Sequence, residues 1–539
     1  MFARFVRPVV VGFDAVSPVC VSSDRRASGV FLAAGALASC FYVGVGRRTW
    51  FRNDEWDFLT RRTAGDLHSL FKAHFGHWST LPILVYRFLW WTVGLRSYVP
   101  YLVLIVALHF LAAWLLRCIM RRSGVSPWVA TIAALVFVLF GKGHQDLVWA
   151  FQITQVGSLT LGLTHLLLAD HDGPVDRRDW FGLAAGFAGL LCSGVAVTMV
   201  IVVGIAMLVR RGWRVALLHT APLGAAYLLW WATSARDAYT TSGGSLSSKS
   251  RFVVATVLNA LRAMSAFRGG QWILVALLVV GLVVAWRGLT WPEFARRGAS
   301  PFALLIGAGV FLAITSVGRA GLPGATYRSR YIDITLALVL PALAVAADAL
   351  IRRWRVLAVP VVVVLLLGVP SNVRAVVDYT KSQAADARRY RHTLFALPRL
   401  PLATRVPRSL EPLTGITIGW LRAGAASGRV PAPGTVTPSE AATDGLRLSL
   451  RTSTSHSRRA RSCRSLTTPV VIRLRRGERI AIARGTMRAV PTSGASDQAY
   501  PPEYARGVAV TAAVSRVTFR AEPVARDTRV CGPRRVFAS

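Results

Sequence analysis

Apolar stretches bounded by charged or turn residues recur along the first 370 residues, and each is too long and too uniformly hydrophobic for an ordinary soluble strand. They are Ser28–Gly46, Tyr98–Cys118, Pro127–Phe140, Leu147–Ala169, Trp180–Leu191, Val195–Leu208, Val215–Ala232, Gln271–Trp286, Pro301–Val317, Tyr331–Ile351 and Val356–Val369. A helix crossing a bilayer needs about 20 apolar residues, so this pattern predicts an all-α polytopic bundle of about eleven transmembrane helices. Trp180 to Leu208 is broken by Cys192-Ser193-Gly194 and reads as two short helices forming a hairpin. Hydrophobic residues make up 53% of the chain and the mean hydropathy is +0.46, which excludes a single soluble domain of 539 residues.

The net charge of +39 would suggest nucleic acid in a soluble protein. Here arginines sit in short clusters between apolar segments, the pattern that sets membrane orientation, and no nucleic-acid partner is expected. With a cytoplasmic N-terminus, the internal loops carry Arg117, Arg121 and Arg122; Arg177 and Arg178; Arg210, Arg211 and Arg214; Arg287, Arg296 and Arg297; and Arg352, Arg353 and Arg355. All five are basic, as the positive-inside rule requires, and the C-terminal region then lies outside a bacterial plasma membrane. Cys463 and Cys531 lie in that polar region, where a disulfide between them is compatible with an oxidising compartment. Cys20, Cys40, Cys118 and Cys192 show no metal-ligand spacing and read as small apolar residues. Residues 1–27 form a polar leader with no small-residue cleavage site, so the first span reads as an uncleaved anchor.

The outer loop of residues 47–97 is the exception to the charge rule, with eight basic residues from Arg47 to Arg96. Leu67, Leu70, Phe71, His74 and Phe75 recur at helical spacing, and Leu81–Val93 is an apolar run; both predict interfacial helices. Arg236–Arg251 reads as a flexible loop, and Phe252–Phe267 as an amphipathic helix. Beyond residue 370 the composition turns to Arg, Ser, Thr and Pro. Val470–Leu474, Ile480–Ala483, Val508–Val514 and Val517–Phe519 are β-branched runs separated by turn residues, which predict a small extracytoplasmic β-rich domain within 371–539. The Gly, Pro and Ala-rich stretch Ala423–Thr443 reads as poorly ordered.

Three clusters could carry chemistry. Arg52-Asn53-Asp54-Glu55-Trp56-Asp57 places three carboxylates at a membrane boundary, where charge is costly and marks function by default. Asp54 or Glu55 can serve as a general base beside an arginine-bound phosphate; the alternative is an acidic cap paired with Arg47, Arg48 or Arg52. Thr326 to Asp333 holds Arg328, Arg330 and Tyr331, suited to bidentate phosphate contacts and to a sugar, or to anchoring at lipid headgroups. Lys142-Gly143-His144-Gln145-Asp146, with Trp149, Gln152 and Gln155, offers polar groups inside an apolar helix, for sugar hydroxyls or for helix–helix hydrogen bonds. His68, His109, His165 and His219 have no partner spacing and read as packing or interface residues.

Asn53-Asp54-Glu55-Trp56-Asp57-Phe58, Gly76-His77-Trp78-Ser79-Thr80-Leu81-Pro82, Leu147-Val148-Trp149-Ala150-Phe151-Gln152 and Ser329-Arg330-Tyr331 resemble uncharacterised actinobacterial members of the GT-C superfamily. These are membrane glycosyltransferases that use polyprenyl-phosphate sugars, and the resemblance covers roughly residues 28–370. It implies Asp54 as general base with Glu55 in support, Arg328 and Arg330 on the donor phosphate, and Tyr331 shaping the pocket. Asp57, His77, Trp78, Asp146, Trp149 and Gln152 become candidate substrate contacts. The adjacency of Asp54 and Glu55 leans towards no metal cofactor, while Asp57 and Asp146 leave a divalent metal possible. The implied acceptor is an extracytoplasmic glycan, glycolipid or protein of the cell envelope. The rival readings are a transporter or flippase for lipid-linked saccharides, and a scaffold without activity.

Overall fold

The computed structural model describes residues 25–236, 244–265, 267–454, 462–493 and 499–537. The leader and the middle of the Arg236–Arg251 loop lie outside the described residues. The chain divides into two compact units. One comprises Met1–Thr49, Ala64–Val85 and Val99–Lys381, and the other Trp50–Thr63, Tyr86–Tyr98 and Ser382–Ser539.

The first unit is helical: α1 (Arg25–Gly46), α2 (Val99–Arg122), α3 (Pro127–Val138), α4 (Ile153–Ala169), α5 (Arg177–Leu190), α6 (Val195–Arg210), α7 (Trp213–Trp230), α8 (Leu246–Met264), α9 (Gly270–Trp286), α10 (Ala299–Arg319) and α11 (Ser329–Arg353). Among the described residues seven helical stretches are long and apolar enough to cross a membrane, those containing α1, α2, α3, α7, α10 and α11 and a seventh, Arg355–Arg399, that follows α11, and Val195–Arg210 and Gly270–Trp286 are apolar but shorter. Helices α4 and α5 have only 17 and 14 residues. Helix α11 is apolar on every side, from Ile334 to Leu343, and is buried along most of its length, as expected of a central helix. Arg352 and Arg353 in its last turn complement the helix dipole. Small residues let helices approach closely. A Cβ at Gly281 of α9 would come within 2.5 Å of Ala346 of α11.

Sequence features also set the breaks. Helix α5 starts at a capping box in which Asp176 accepts from the backbone of Arg178 and Asp179 accepts from that of Asp176, which satisfies N–H groups the first turn leaves orphaned. Helix α6 begins after Gly194, so the Cys192–Gly194 break does divide the long apolar stretch into two helices. Arg117 is no loop charge: it is buried in α2, donating to Thr131 Oγ1 at 2.9 Å and Ser28 Oγ at 3.0 Å. Cys118, which reads from its surroundings as an apolar packing residue, is disulfide-bonded.

In the second unit two antiparallel sheets enclose an apolar core. One has strand order β1-β7-β4-β9-β2 and the other β3-β8-β5-β6, formed by β1 (Leu450–Thr454), β2 (Ser462–Ser465), β3 (Val470–Arg475), β4 (Arg479–Arg484), β5 (Thr486–Val490), β6 (Glu503–Ala505), β7 (Val508–Ala512), β8 (Arg516–Pro523) and β9 (Arg529–Gly532). The expected β-branched runs fall in β3, β4, β7 and β8. Ile472, Leu474, Ile480, Ile482, Val510, Phe519 and Val530 point into the core, with arginines alternating outward along β3, the period-two pattern of a half-buried sheet. Cys463 and Cys531 face each other across β2 and β9 and are bonded. The Ala423–Thr443 stretch is better organised than its composition suggests: helices Ile418–Ala426 and Pro438–Ser449 reach into both ends. The second of these is stopped at its start by a Thr437–Glu440 capping box. The two segments expected as interfacial helices do form helices, Leu67–Phe71 in the first unit and Thr80–Thr92; Phe75 leaves helical geometry at a positive φ of 48°.

Candidate functional site

Polar groups collect around the N-terminus of α11. The chain before it, Gly141-Lys142-Gly143-His144-Gln145-Asp146, can lie against it because two positions lack side chains. A Cβ at Gly143 would come 2.2 Å from Asp333 Oδ1, and one at Gly141 would meet the carbonyl of Asn372. The loop is fixed at both ends: Gln145 N donates to Ser329 Oγ at 2.9 Å, and Lys142 N donates to Asn372 Oδ1 at 3.0 Å.

This packing brings Asp146 and Asp333, both fully buried, into hydrogen-bonding range of each other. None of their four oxygens has any other hydrogen-bond partner among the described residues. Two carboxylates only accept, so the contact holds with a proton or a cation between them. The charge of Arg330 acts on Asp146, and its buried Nε lacks a partner. The Arg330 guanidinium lies over the Tyr331 ring, 5.2 Å from its centroid. Gln152 is fully buried with both amide atoms unpartnered, and Gln155 Oε1 is unpartnered as well. In native interiors such groups are few, and each calls for an explanation such as an ion, water or ligand.

His77 belongs to the same unit. A tight turn through Phe75 and Gly76, both at positive φ, lets His74 and His77 exchange backbone hydrogen bonds of 2.9 and 3.0 Å. Burial, then the charges of His74, Arg319 and Arg330, lower the His77 imidazole to about 4, so it is neutral at pH 7.

Beside this set opens a cavity of 470 Å³ lined by Lys142, His144, Asn259, Arg262, Arg328 and Ser329 among others, with no carboxylate among the described residues of its wall. Arg328 therefore faces open space, whereas Arg330, its neighbour but one, faces the buried carboxylates. The expected joint role of the two arginines divides between a cationic cavity and an interior charge. Lys142 and Arg262 join Arg328 from two other elements, and only Lys142 belongs to a cluster the sequence singles out.

Two expected substrate contacts, Trp78 and Trp149, and the expected pocket-shaping Tyr331 are packing residues. Trp78 is buried, donates from its indole to Thr80 Oγ1 at 2.9 Å, and stacks on Trp230 with centroids 5.1 Å apart. Trp149 is buried and stacked on Phe151. Tyr331 is buried with the edges of Phe252 and Phe311 against it, so its pocket-shaping role is confined to supporting Arg330.

In the second unit the acidic knot resolves into three different carboxylates. Glu55 is fully buried and accepts from Tyr86 Oη at 2.7 Å, Tyr98 Oη at 2.9 Å and the Arg52 backbone at 2.9 Å. Desolvation pushes its carboxyl up to about 7 against the pull of these donors. Asp57 pairs with the buried Arg62 at 3.0 Å, so it is a structural ion pair rather than a substrate contact. Asp54 is half-buried in the turn opened by Asn53 at φ 48°; among the described residues its carboxylate has no hydrogen bond or ion pair. Arg52, expected as a capping partner, meets Glu55 through its backbone N–H and its charge, while its guanidinium also donates to Gln383 Oε1 at 2.7 Å. The salt-bridged cap thus describes Asp57, and of the three carboxylates that of Asp54 is the one without a hydrogen bond or ion pair among the described residues.

A further network escapes sequence reasoning. His165 Nε2 meets His219 Nδ1 at 2.9 Å, His219 Nε2 meets Asp179 Oδ1 at 2.9 Å, and His171 Nε2 meets Asp179 Oδ2 at 3.0 Å. His171, Asp176 and Asp179 have the spacing of a metal site. Arg211 and Arg178 already engage the two carboxylates, so the charge is balanced within the network and its chemistry is that of a clamp joining α4, α5 and α7. The partners stand 54 and 40 residues apart, and no local spacing signals them.

Compared with known proteins, the chain matches no family model, no curated protein and no solved structure.

Proposed function

We propose that the protein is a GT-C-type glycosyltransferase of the bacterial plasma membrane. It would move a sugar from a polyprenyl-phosphate donor to a glycan, glycolipid or protein of the cell envelope. The observation that carries the reading is the 470 Å³ cavity walled by Lys142, Arg262 and Arg328 without a carboxylate among the described residues, set among apolar helices. Such a cavity suits an anionic phosphate joined to a hydrocarbon chain. In this reading the shorter helices α4, α5, α6 and α9 complete about eleven crossings. The basic loops face the cytoplasm and the C-terminal unit faces outward, where its Cys463–Cys531 bond would persist. The Cys118 disulfide argues the other way for the basic end of α2, and the Arg-rich loops outweigh that one cysteine.

Chemically, an acceptor hydroxyl oxygen attacks the anomeric carbon and gives its proton to a carboxylate base, the role that the GT-C resemblance gives to Asp54. The bond from that carbon to the phosphate oxygen breaks, and polyprenyl phosphate leaves with the electron pair, inverting the carbon. Lys142, Arg262 and Arg328 would bind the donor phosphate and balance the charge that grows on it. Asp54 is assigned on the GT-C resemblance and on its unengaged carboxylate. The test is donor binding to the purified protein. Arg262→Ala and Arg328→Ala should each weaken retention of a labelled polyprenyl-phosphate sugar by about tenfold or more, the scale of one charge-assisted hydrogen bond. Unchanged retention in both variants would overturn the assignment.

One observation favours the transporter reading instead: Asp146 and Asp333 are fully buried in the apolar helical unit, where carboxylates often mark transport pathways. Transfer of sugar to a soluble acceptor by detergent-solubilised protein distinguishes the two, since transport needs a sealed membrane and transfer does not.

A further inference from the structure

The C-terminal region is far more cationic than membrane orientation requires. From residue 382 to the end there are 27 arginines, no lysine and nine carboxylates. Positive-inside bias acts on short loops flanking spans and gives no reason for this charge on a folded β-sandwich.

The charge is not evenly spread. On the outer face of the β3-β8-β5-β6 sheet, one half is neutralised in pairs: Arg520 with Glu522 at 2.9 Å and Arg488 with Glu503 at 2.6 Å. The other half carries Arg473 and Arg475 of β3, Arg476 in the turn that follows, and Arg516 of β8, all exposed. None of these four guanidinium groups has an acidic partner among the described residues. Arg475 and Arg516 are directly opposed in the ladder, an arrangement of like charges that destabilises a sheet. The nearest carboxylate in sequence, Glu478, is committed elsewhere: it accepts from the Arg475 backbone at 3.0 Å and pairs with Arg535 at 2.5 Å.

We infer that this face of β3 and β8 binds a polymer carrying repeated phosphate or carboxylate groups. Arg473 and Arg475 project from the same face two residues apart, roughly 7 Å, and Arg516 lies one strand away, roughly 5 Å, by ordinary sheet geometry. That lattice of planar, bidentate donors matches successive anions along a chain better than one isolated headgroup. Among the described residues no aromatic side chain accompanies the four arginines, and on their face of β3 only Val471 is an exposed large apolar residue, too little to insert into a bilayer, so a repeating polyanion is the occupant the face fits. The inference is independent of the transfer chemistry and would supply the enzyme with a means of staying on an anionic envelope polymer.

The experiment uses the full-length protein in neutral detergent with immobilised inorganic polyphosphate as the probe and neutral dextran as the blank. Three variants are compared: wild type, R473S/R475S/R516S, and R451S/R526S/R529S, which removes the same charge from other exposed positions of the unit. Polyphosphate affinity should fall about tenfold or more in the first triple variant and less than about threefold in the second, and the salt dependence should weaken only in the first. Equal losses in both would show undirected charge attraction and overturn the inference. So would tight, face-dependent binding to phosphatidylglycerol vesicles without binding to polyphosphate, because the occupant would then be a lipid surface. Formation of the Cys463–Cys531 bond, scored by thiol labelling, checks that each variant has folded. Donor retention by the Lys142–Arg262–Arg328 cavity, measured on the same samples, keeps failure here distinct from failure of the transferase reading.

Discussion

The two units treat buried acidic groups in opposite ways. In the second, Glu55 is surrounded by donors, with two phenols and a backbone N–H aimed at its two oxygens, and Asp57 is closed off by Arg62. In the first, among the described residues, Asp146 and Asp333 are equally buried but have only each other as hydrogen-bond partners, and the Gln152 side-chain amide has no hydrogen-bond partner. Burying an unsatisfied polar group costs about 1–3 kcal/mol and more when it is charged, so a fold retains one where something other than stability maintains it. Satisfied carboxylates hold structure; unsatisfied ones mark where chemistry or a ligand belongs. Asp54 is a third case: half-buried, with a carboxylate that has no hydrogen bond or ion pair among the described residues, it incurs no such burial cost, and its proposed role rests on the GT-C resemblance.

The largest effect should come from that single carboxylate. Asp54→Asn is expected to lower sugar transfer about 10²–10⁴-fold, the range of a lost general base, with the thermal unfolding midpoint unchanged because no contact is lost. Transfer at the wild-type rate would remove Asp54 from the site and break the comparison at its most exposed point.

The next test attacks the unsatisfied pair directly. Asp333→Asn supplies an amide that can donate to Asp146, converting an acceptor–acceptor contact into a hydrogen bond. Stability should hold or rise, by up to about 1 kcal/mol, while activity falls, the trade-off expected where a site is kept strained for function. A marked drop in unfolding midpoint would show the pair to be structural. Gly143→Ala sharpens the same point, since the new Cβ would strike Asp333 Oδ1 and overpacking of this kind costs about 1–3 kcal/mol; its unfolding midpoint should fall where that of Asp333→Asn does not.

How much of this could be read from the residues alone follows from how local each signal is. Strands β3, β4, β7 and β8 were legible because Val470, Ile472, Ile480 and Val517 announce them within a few positions. The disulfide was legible because Cys463 and Cys531 were the two cysteines outside the apolar half. The fates of Glu55 and Asp57 were not, since Tyr86 and Tyr98 stand 31 and 43 residues from Glu55 and nothing beside it foretells them. Likewise Lys142, Arg262 and Arg328 converge only in the fold, and Trp78 shows an exposed-looking motif whose ring is spent on Trp230. Sequence periodicity gives elements and charge gives clusters; which member of a cluster is left unengaged is decided by partners from distant segments.

The smallest expected effect concerns Glu55, and its sign is diagnostic. Burial raises its carboxyl from 4.5 to about 7, so between these values the folded protein holds a proton that the unfolded chain has lost. Stability should therefore decline as pH rises from about 4.5 to about 7 and be flat, for this group, on either side. Glu55→Gln keeps an oxygen for Tyr86 and Tyr98 and carries no titrating proton, so its unfolding midpoint in detergent should lack that part of the slope, and its transfer activity should persist near neutral pH. A variant that keeps the full slope would assign the titration to another group. One that keeps its stability but loses transfer as completely as Asp54→Asn would move Glu55 from the satisfied set into the catalytic one, and the contrast between the two units would then no longer separate structure from function.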